Sequence, residues 1–314
     1  MAIHADRFPI VPSMIGAKAP SGGTMQTVQS SPPLRGSVLT VLNMKGGVGK
    51  THTSWLLASV CEERNLRILA IDTDPQGNLS NSFARDRGNA AGVERLLDPS
   101  ADTDPLPLIR RTVFPHIDIL PASSLLSRYD LSDQQAWETA DLHRSFVDPL
   151  AELRPLYDFI VFDCPPRLSL VSFAALVASD FVIVPLEAAD WGAQGILQVT
   201  AAVEYVQSRF NRHLELLGYL VSRYKPRRTY QQSYLQKLRQ HFGEQTFDTV
   251  IPDLAAFERA VTDCVPITQH SPRSSAARIA RGFFDEVTAR IAYSRDNRSG
   301  SRRTDVRDAR PLAV

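Results

Sequence analysis

The 314-residue sequence has few of the features that mark secreted or membrane-spanning proteins. Its three cysteines, Cys61, Cys164 and Cys264, are far apart and form no CxxC pair, which favours free thiols in a reducing cytosol over a disulfide framework or a metal site. No run reaches the roughly 18 consecutive apolar residues that a membrane helix needs, and the first residues lack the basic and apolar stretches of a signal peptide. We therefore expect a cytoplasmic protein with no membrane partner.

A strong charge of either sign is also missing. The chain has 35 Lys and Arg residues against 34 Asp and Glu residues, which gives a formal net charge of +1. Any affinity for nucleic acid must therefore come from a local basic patch and not from the chain as a whole. No internal repeat is visible, and the hydrophobic content of 43% suffices for one large domain.

Short apolar runs alternate with longer segments in which apolar residues recur every three or four positions. The runs predict seven strands, at 38–43, 67–72, 117–120, 159–163, 181–185, 216–221 and 246–251. Continuous apolar runs are typical of strands that are buried on both faces. The alternation therefore predicts an α/β fold with a mostly parallel twisted sheet covered by helices on both faces.

The folded domain is expected to span 37–293, between two polar segments. Residues 1–36 are rich in Pro, Gly, Ser and Thr, which indicates a flexible tail; an amphipathic membrane anchor is disfavoured because the apolar residues are scattered. The last helix is predicted from about Ser274 to about Tyr293. Residues 294–314 hold six arginines interrupted by aspartates and are interpreted as a disordered tail, with an arm for nucleic acid as the alternative.

A glycine-rich loop follows the first predicted strand and precedes a helical pattern. It is a modified G-x-x-x-x-G-K-[ST] motif that consists of Lys45, Gly46, Gly47, Val48, Gly49, Lys50 and Thr51. Glycines let a backbone wrap around phosphate oxygens with its N–H groups pointing inward, and the start of a helix adds positive charge there. Lys50 can then reach the β- and γ-phosphates, and the Thr51 hydroxyl can ligate Mg²⁺.

Acidic residues follow two of the predicted strands. Asp72 and Asp74 lie at the end of the second strand, and Asp163 ends the fourth in the manner of a Walker-B aspartate. Each carboxylate alone could be a helix cap or a turn residue. Because the carboxyl ends of parallel strands meet at one edge of a sheet, the three aspartates and the loop together favour an Mg-ATP site over a glycine-rich turn without a ligand.

These motifs resemble the ParA/Soj family of partition ATPases, within the deviant Walker-A group that includes MinD. The resembling stretches are VLNMKGGVGKT, AIDTDPQGN, YDFIVFDCPP, VIVPLEAADWGAQGI, GYLVSRYKPRRTY and HFGEQTFDTVIP, and with the last helix they span about 37–292. The resemblance implies a P-loop NTPase fold, ATP or ADP with Mg²⁺ as cofactors, and a homodimer that forms when ATP binds. The segment 190–196 resembles a stretch near the dimer interface, or it is an ordinary helix start with Asp190 as cap.

The resemblance also implies roles for single residues. Lys45 matches the signature lysine that reaches the partner's nucleotide, and Asp74 matches the aspartate that positions the attacking water. Thr51 and Asp163 would hold Mg²⁺, and Asp72 would act on the metal through a bound water. The remaining nucleotide contacts that it implies are the backbone N–H of His52, where Thr or Ser is common, and an adenine site at Ser222, Arg223, Pro252 and Asp253.

One stretch departs from the family. Soj-like members have IPRNVRL where this chain has IPDLAAF at 251–257, so that Asp253 and Ala256 replace two arginines of which at least one is linked to DNA binding. The replacement weakens the attraction for phosphates at this place. Other basic residues are either a solvated surface or a patch across the dimer for non-specific double-stranded DNA; these candidates are Arg227, Arg228, Lys237, Arg273, Arg278 and Arg281.

The function implied by the resemblance is chromosome or plasmid partition. Such an ATPase is slow, is stimulated by a ParB-like or other cargo-adaptor protein, and associates with the nucleoid. Two other functions stay open: a ParA-like positioner of a protein cargo, and a nucleotide-dependent regulatory scaffold with negligible turnover. A metabolic enzyme such as dethiobiotin synthetase is disfavoured because the resemblance covers nearly the whole folded region.

Overall fold

Buried strands alternate with helices in the computed structural model, which describes residues 34–83, 91–98, 103–130, 138, 141–188 and 192–307, the side chains of 192–194 and 299–307 excepted. The described strands form one sheet in the order β3-β4-β2-β5-β1-β6-β7. Their bounds are Ser37–Val41 (β1), Ile68–Asp72 (β2), Arg110–Arg111 (β3), Ile117–Leu120 (β4), Phe159–Asp163 (β5), Phe181–Glu187 (β6) and Glu215–Ser222 (β7). Only the β3–β4 pair is antiparallel among them, so the predicted mostly parallel sheet is confirmed.

Helices connect these strands and cover the sheet. Their bounds are Lys50–Glu63 (α1), Asn78–Phe83 (α2), Val147–Leu153 (α3), Leu170–Ala178 (α4), Gly192–Arg209 (α5), Thr229–Phe242 (α6), Ala255–Thr262 (α7), Ile267–His270 (α8) and Ser275–Arg307 (α9). Among the described helices, none combines the length and the apolar composition that crossing a bilayer requires.

Alternate residues of each strand feed two hydrophobic cores, one on each face of the sheet. From β1, Val38 joins the core that α4, α5 and α6 cover, whereas Leu39 and Val41 join the core that α1, α7 and α9 cover. All five residues of β1 are buried, as are those of β2 and β5. The continuous apolar runs in the sequence therefore reflect burial on both faces.

The segment 246–251, predicted as a strand, does not form one. Its contact with β7 is limited to an isolated bridge between Thr246 and Tyr219 and to two backbone hydrogen bonds of 2.9 Å. In these, the N–H groups of Phe247 and Ile251 donate to the carbonyls of Tyr219 and Val221. The backbone N–H groups of Asp248 and Thr249 donate instead to the carboxylate of Glu286 on α9, each at 2.8 Å. The hydrogen-bond ladder with β7 is interrupted because these two N–H groups donate to Glu286 and not to the strand.

The predicted end of the last helix near Tyr293 is also wrong, since α9 continues to Arg307. Two arginines of the supposed tail find partners at the edge of the sheet: Arg298 forms an ion pair with Glu215 at 2.5 Å, and Arg295 donates to the Ser37 hydroxyl at 2.8 Å. Residues 294–307 are therefore helical. Of the predicted N-terminal tail, residues 1–33 lie outside the described residues.

Candidate functional site

The glycine-rich loop lies at the carboxyl edge of the sheet, between β1 and α1. Gly47 and Gly49 have φ values of 75° and 88°, in the left-handed region that favours glycine. A Cβ atom on Gly49 would also stand 3.1 Å from the Ser222 hydroxyl oxygen. Gly49 caps α1, so the N–H groups that start this helix adjoin the loop and favour an anion there.

Ser222, which ends β7, and Arg223, which follows it, hold the loop by its carbonyl groups. The Ser222 hydroxyl donates to the Val48 carbonyl, and Nη1 of Arg223 donates to the Gly47 carbonyl at 3.1 Å. Because a trans peptide points its N–H away from its carbonyl, the N–H groups of Val48 and Gly49 face the opposite side. Ser222 and Arg223, predicted to contact adenine, thus contact the backbone of the loop.

The two lysines of the loop point to different places. The Lys50 side chain is buried, and its Nζ donates to the Lys45 carbonyl at 3.0 Å. Burial lowers the pKa of Lys50, against the opposing effect of Asp163. The Lys45 side chain is 42% exposed, and its Nζ lies 3.8 Å from a carboxylate oxygen of Glu187.

Asp163 is a buried carboxylate that lacks a hydrogen-bond partner for either oxygen within the described residues. It ends β5 and pairs in register with Val41 of β1 and Asp72 of β2. Burial and the charge of Asp72 raise its pKa, while Thr51 and Lys50 act in the opposite direction. A divalent cation supplies the charge that such a carboxylate needs, so Asp163 and the Thr51 hydroxyl fit a Mg²⁺ ion.

Asp72 is equally buried, but both of its carboxylate oxygens accept hydrogen bonds. Oδ2 accepts the backbone N–H and the hydroxyl of Ser80 at 2.8 and 2.7 Å, and Oδ1 accepts the N–H of Asp74 at 3.1 Å. Burial raises the pKa of Asp72 to about 6, although these hydrogen bonds oppose the shift. The structure therefore places Asp72 as the anchor of the segment that carries Asp74, whose own Oδ1 accepts the N–H of Gln76.

The remaining predicted nucleotide contacts lie beside the loop. His52 packs edge-on against Trp55 and Phe257, and burial lowers its pKa to about 4, so the imidazole is neutral near pH 7. Asp253 forms an ion pair with Lys225 at 2.9 Å, next to Pro252. The side chain of His52 is therefore a packing group, and its backbone contact stays a prediction.

The six candidate DNA contacts are not brought together in one chain. Arg227, Arg228 and Lys237 lie on or before α6, whereas Arg273, Arg278 and Arg281 lie on or before α9, which packs on the opposite face of the sheet. Arg281 donates two hydrogen bonds to the carboxylate of Glu63, at 2.8 and 2.7 Å, so its charge is already paired within the chain.

Sequence reasoning missed two residues that position the loop. Asn43 donates to the Pro185 carbonyl at 2.7 Å and accepts the N–H of Lys45 at 2.9 Å. Its Oδ1 would stand 3.1 Å from a Cβ atom on Gly195, so α5 closely approaches this amide. Glu187, which faces Lys45, ends β6. Asn43 follows a buried strand and Glu187 ends one, both at the carboxyl edge of the sheet, and this location is the signal that could have identified them. Asp190 and Trp191, in the segment compared with a dimer interface, lie outside the described residues.

The fold and the site define a class of protein. A strand–loop–helix cradle with a buried lysine, a threonine and a buried carboxylate at the edge of a parallel sheet is the architecture of P-loop NTPases. A protein-family model described as an AAA domain matches residues 36–216.

Known proteins resemble the chain over most of its length. The chromosome-partitioning ATPase Soj of Thermus thermophilus is 32% identical over 260 residues, which cover 81% of this chain and 96% of that protein. The sporulation initiation inhibitor protein Soj of Bacillus subtilis is 29% identical over 259 residues, covering 81% and 99%. The chain therefore belongs to the Soj/ParA family of chromosome-partitioning ATPases.

Solved structures show the same fold. A cobyrinic acid a,c-diamide synthase from Mycobacterium smegmatis, with bound ADP and magnesium, superposes with a TM-score of 0.66 at 29% identity, covering 79% of this chain and 92% of that one. The cell division ATPase MinD of Pyrococcus furiosus has a TM-score of 0.61 at 22% identity over 82% of this chain and 98% of that one, a likeness of fold alone.

Proposed function

We propose that this chain is an ATP-dependent partition ATPase of chromosomes or plasmids. Mg-ATP drives two copies into a sandwich dimer, the dimer binds double-stranded DNA without sequence preference, and slow hydrolysis releases it. A ParB-like or other cargo-adaptor protein stimulates the hydrolysis. The protein then works in the cytoplasm on the nucleoid.

The divergence of the two loop lysines is the observation that carries this proposal. Lys50 is buried beside Asp163, where it serves the nucleotide of its own chain. Lys45 is half-exposed and paired only weakly with Glu187, at 3.8 Å. A partly exposed cation on a short loop could neutralise phosphate charge in a second copy, and this would link hydrolysis to dimerisation.

Several residues would act together on ATP. The N–H groups of Val48 and Gly49 and the ammonium of Lys50 bind the phosphates. Thr51 and Asp163 hold Mg²⁺, which neutralises phosphate charge when bound. Asp74 is proposed to orient the attacking water, since it lies close enough to influence Lys50 and is only partly buried.

The DNA step would use the basic residues that remain exposed. Arg227, Lys237, Arg273 and Arg278 are exposed, and no ion pair is recorded for them among the described residues. Because they divide between two faces of one chain, a continuous patch would form only in the dimer. Contacts of this kind bind phosphates, do not read sequence, and weaken steeply with salt.

A ParA-like positioner of a protein cargo is the second candidate. The ion pair between Asp253 and Lys225 favours it, because an acid that replaces an arginine also neutralises a neighbouring cation. A regulatory scaffold without turnover is a third possibility, and phosphate release tests it.

Purified protein separates these functions. Asp74→Ala is expected to hold ATP without hydrolysis, so ATP should convert it from monomer to dimer in light scattering after size-exclusion chromatography. The dimer should bind duplex DNA in low salt and lose it in high salt. A dimer without DNA affinity would favour the protein-cargo positioner, and wild-type protein that releases no phosphate, even with DNA and adaptor, would favour the scaffold. If ATP produces no dimer, the proposal fails.

A further inference from the structure

Glu187 connects the end of β6 to the phosphate loop. Its side-chain Oε2 lies 3.8 Å from Nζ of Lys45. The backbone of Lys45 is tied to the same strand, because Asn43 accepts the N–H of Lys45 at 2.9 Å and donates to the Pro185 carbonyl at 2.7 Å. The Lys45 side chain therefore starts from a fixed point beside β6, and its flexible four-carbon stem decides where the ammonium lies.

The ion pair between Lys45 and Glu187 is weak enough to break. The Lys45 side chain is 42% exposed and the Glu187 side chain 32%, and neither forms another ion pair within the described residues. Lys50 does not compete for this carboxylate, since its Nζ is buried and donates to the Lys45 carbonyl at 3.0 Å. An exposed ion pair shifts an equilibrium by no more than about fivefold, so Glu187 restrains Lys45 without fixing it.

The position of the Lys45 ammonium beside Glu187 differs from the one that the proposed function requires. In that function, the ammonium neutralises phosphate charge in a second copy of the chain. An ammonium is a compact point charge, so moving it to the partner's phosphates takes it away from Glu187. A terminal phosphate carries roughly two negative charges near pH 7, against one on a carboxylate. ATP in the partner can therefore displace Glu187, and each dimer breaks two such pairs, one in each copy.

We propose that Glu187 is a positioning residue that restrains Lys45 in the single chain and so raises the protein concentration at which ATP drives dimerisation. This inference rests on the proposed function, because it takes Lys45 to act in the partner's site. Glu187 acts through Lys45 and not on the phosphates of its own chain. The restraint favours dimers where copies of the chain are concentrated.

The monomer–dimer equilibrium in saturating Mg-ATP tests this restraint. Sedimentation equilibrium compares Asp74→Ala protein, in which hydrolysis is blocked, with the same protein carrying Glu187→Gln, which keeps the size of the side chain and removes its charge. The dimer dissociation constant should fall by roughly fivefold, because two exposed ion pairs no longer have to be broken. The Kd for Mg-ADP, measured by calorimetry, should change less than this, because the restraint acts on Lys45 and not on the chain's own phosphate site.

Two further variants show whether the effect passes through Lys45. Glu204→Gln is the matched control, because Glu204 is an exposed glutamate of α5, and in the Asp74→Ala background it should leave the dimer dissociation constant unchanged. In a Lys45→Ala background, Glu187→Gln should not restore dimerisation. Unchanged thermal melting of the Glu187→Gln protein would show that it folds.

The outcomes separate this inference from the proposed function. Equal dimer dissociation constants with and without Glu187→Gln would overturn the inference alone. So would a Glu187→Gln substitution that restores dimerisation to Lys45→Ala, since the carboxylate would then repel the partner directly. If Asp74→Ala protein forms no dimer with ATP, whether or not it carries Glu187→Gln, the proposed function itself fails and this inference fails with it.

Discussion

Asp72 and Asp163 occupy paired positions on adjacent strands, yet only Asp72 has its carboxylate satisfied by hydrogen bonds. Both are buried, and the charge of Asp72 helps burial to raise the pKa of Asp163, so the pair is electrostatically unfavourable without a cation. The two carboxylates therefore differ in what stabilises their buried charge. Hydrogen bonds from Ser80 stabilise Asp72, whereas Asp163 requires a positive ion. This difference leads to opposite expectations for two chemically identical substitutions.

Asp163→Asn should stabilise the ligand-free protein at pH 7, by about 1–2 kcal/mol, because it removes a buried charge next to Asp72. The same substitution should abolish the additional stabilisation by Mg-ADP. Thermal melting with and without Mg-ADP measures both effects. Destabilisation of the ligand-free variant would contradict the assignment of Asp163 as a cation ligand.

Asp72→Asn is the matched comparison for Asp163→Asn. The substitution replaces one of the two carboxylate oxygens, which accept hydrogen bonds from Ser80 and Asp74, with an NH2 group that can only donate. Because at least one of these hydrogen bonds is lost, the variant should destabilise the ligand-free protein by about 1–3 kcal/mol. An increase in melting temperature for this variant would show that its hydrogen bonds matter less than its charge.

Ser222→Ala should weaken nucleotide binding although Ser222 faces the backbone of the loop. Without the hydrogen bond from Ser222, the Val48 carbonyl is no longer held in place, and the loop can change its conformation. If the lost hydrogen bond contributes about 1 kcal/mol to binding, the Kd for Mg-ADP should rise several-fold. Calorimetric titration measures it. Ser127→Ala is the control, because the Ser127 hydroxyl also donates to a backbone carbonyl, that of Ser124, but on the surface. Equal Kd values for the two variants would show that Ser222 does not shape the loop.

The sequence predicts the parts of this protein that follow from chain order and apolar patterning. The parallel sheet and the helix after the glycine-rich loop are confirmed, because buried strands and glycine turns leave local signals. Three other features depend on residues that are distant in sequence. These are the pairing of Asp163 with Asp72 across β5 and β2, the hydrogen bond from Ser222 to Val48, and the hydrogen bonds of Glu286 to 248–249. Sequence patterns contain no distances between such residues, so they do not reveal that Glu286 accepts two backbone N–H groups of the segment 246–251.

Lys45→Ala and Lys50→Ala should separate the two functions of the loop. Lys50→Ala removes a buried cation of the chain's own site and should abolish Mg-ADP binding. Lys45→Ala leaves that site intact, so its Kd for Mg-ADP should stay within about threefold of wild type, while ATP-dependent dimerisation and phosphate release are lost. Calorimetry, light scattering and a phosphate assay measure the three properties. Dimerisation and hydrolysis at wild-type levels in Lys45→Ala would contradict a role of this lysine in the partner's site.

Gly218→Ala should destabilise the protein by about 1–3 kcal/mol. At this bulge between β6 and β7, a Cβ atom would stand 2.7 Å from the Gln245 carbonyl oxygen and 3.0 Å from the Phe247 ring. Gly282→Ala is the matched control, since Gly282 is an exposed residue of α9 with nothing within 4 Å of the added atom. It should gain up to about 1 kcal/mol from helix propensity. Urea unfolding compares the free energies of unfolding of the two variants. A Gly218→Ala variant as stable as wild type would show that the backbone at the bulge can shift to accommodate a Cβ atom.

Glu286→Gln should make stability less dependent on pH in the acid range. Burial would raise the pKa of Glu286, but the hydrogen bonds from the backbone of Thr249 and Asp248 and from Arg290 outweigh it, so the pKa is lowered from 4.5. A carboxylate whose folded pKa lies below its unfolded pKa adds stability above the unfolded value and loses it as pH falls through the folded one.

The variant should therefore be less stable than wild type at pH 7, by about 1–3 kcal/mol, because an amide at 286 accepts fewer of these hydrogen bonds. The difference should shrink as the pH is lowered below about 4.5, where protonation weakens the same contacts in wild-type protein. Urea midpoints at neutral and acid pH measure this convergence. A difference that stays constant across the range would show that the charge of Glu286 does not hold the segment 246–251 against α9.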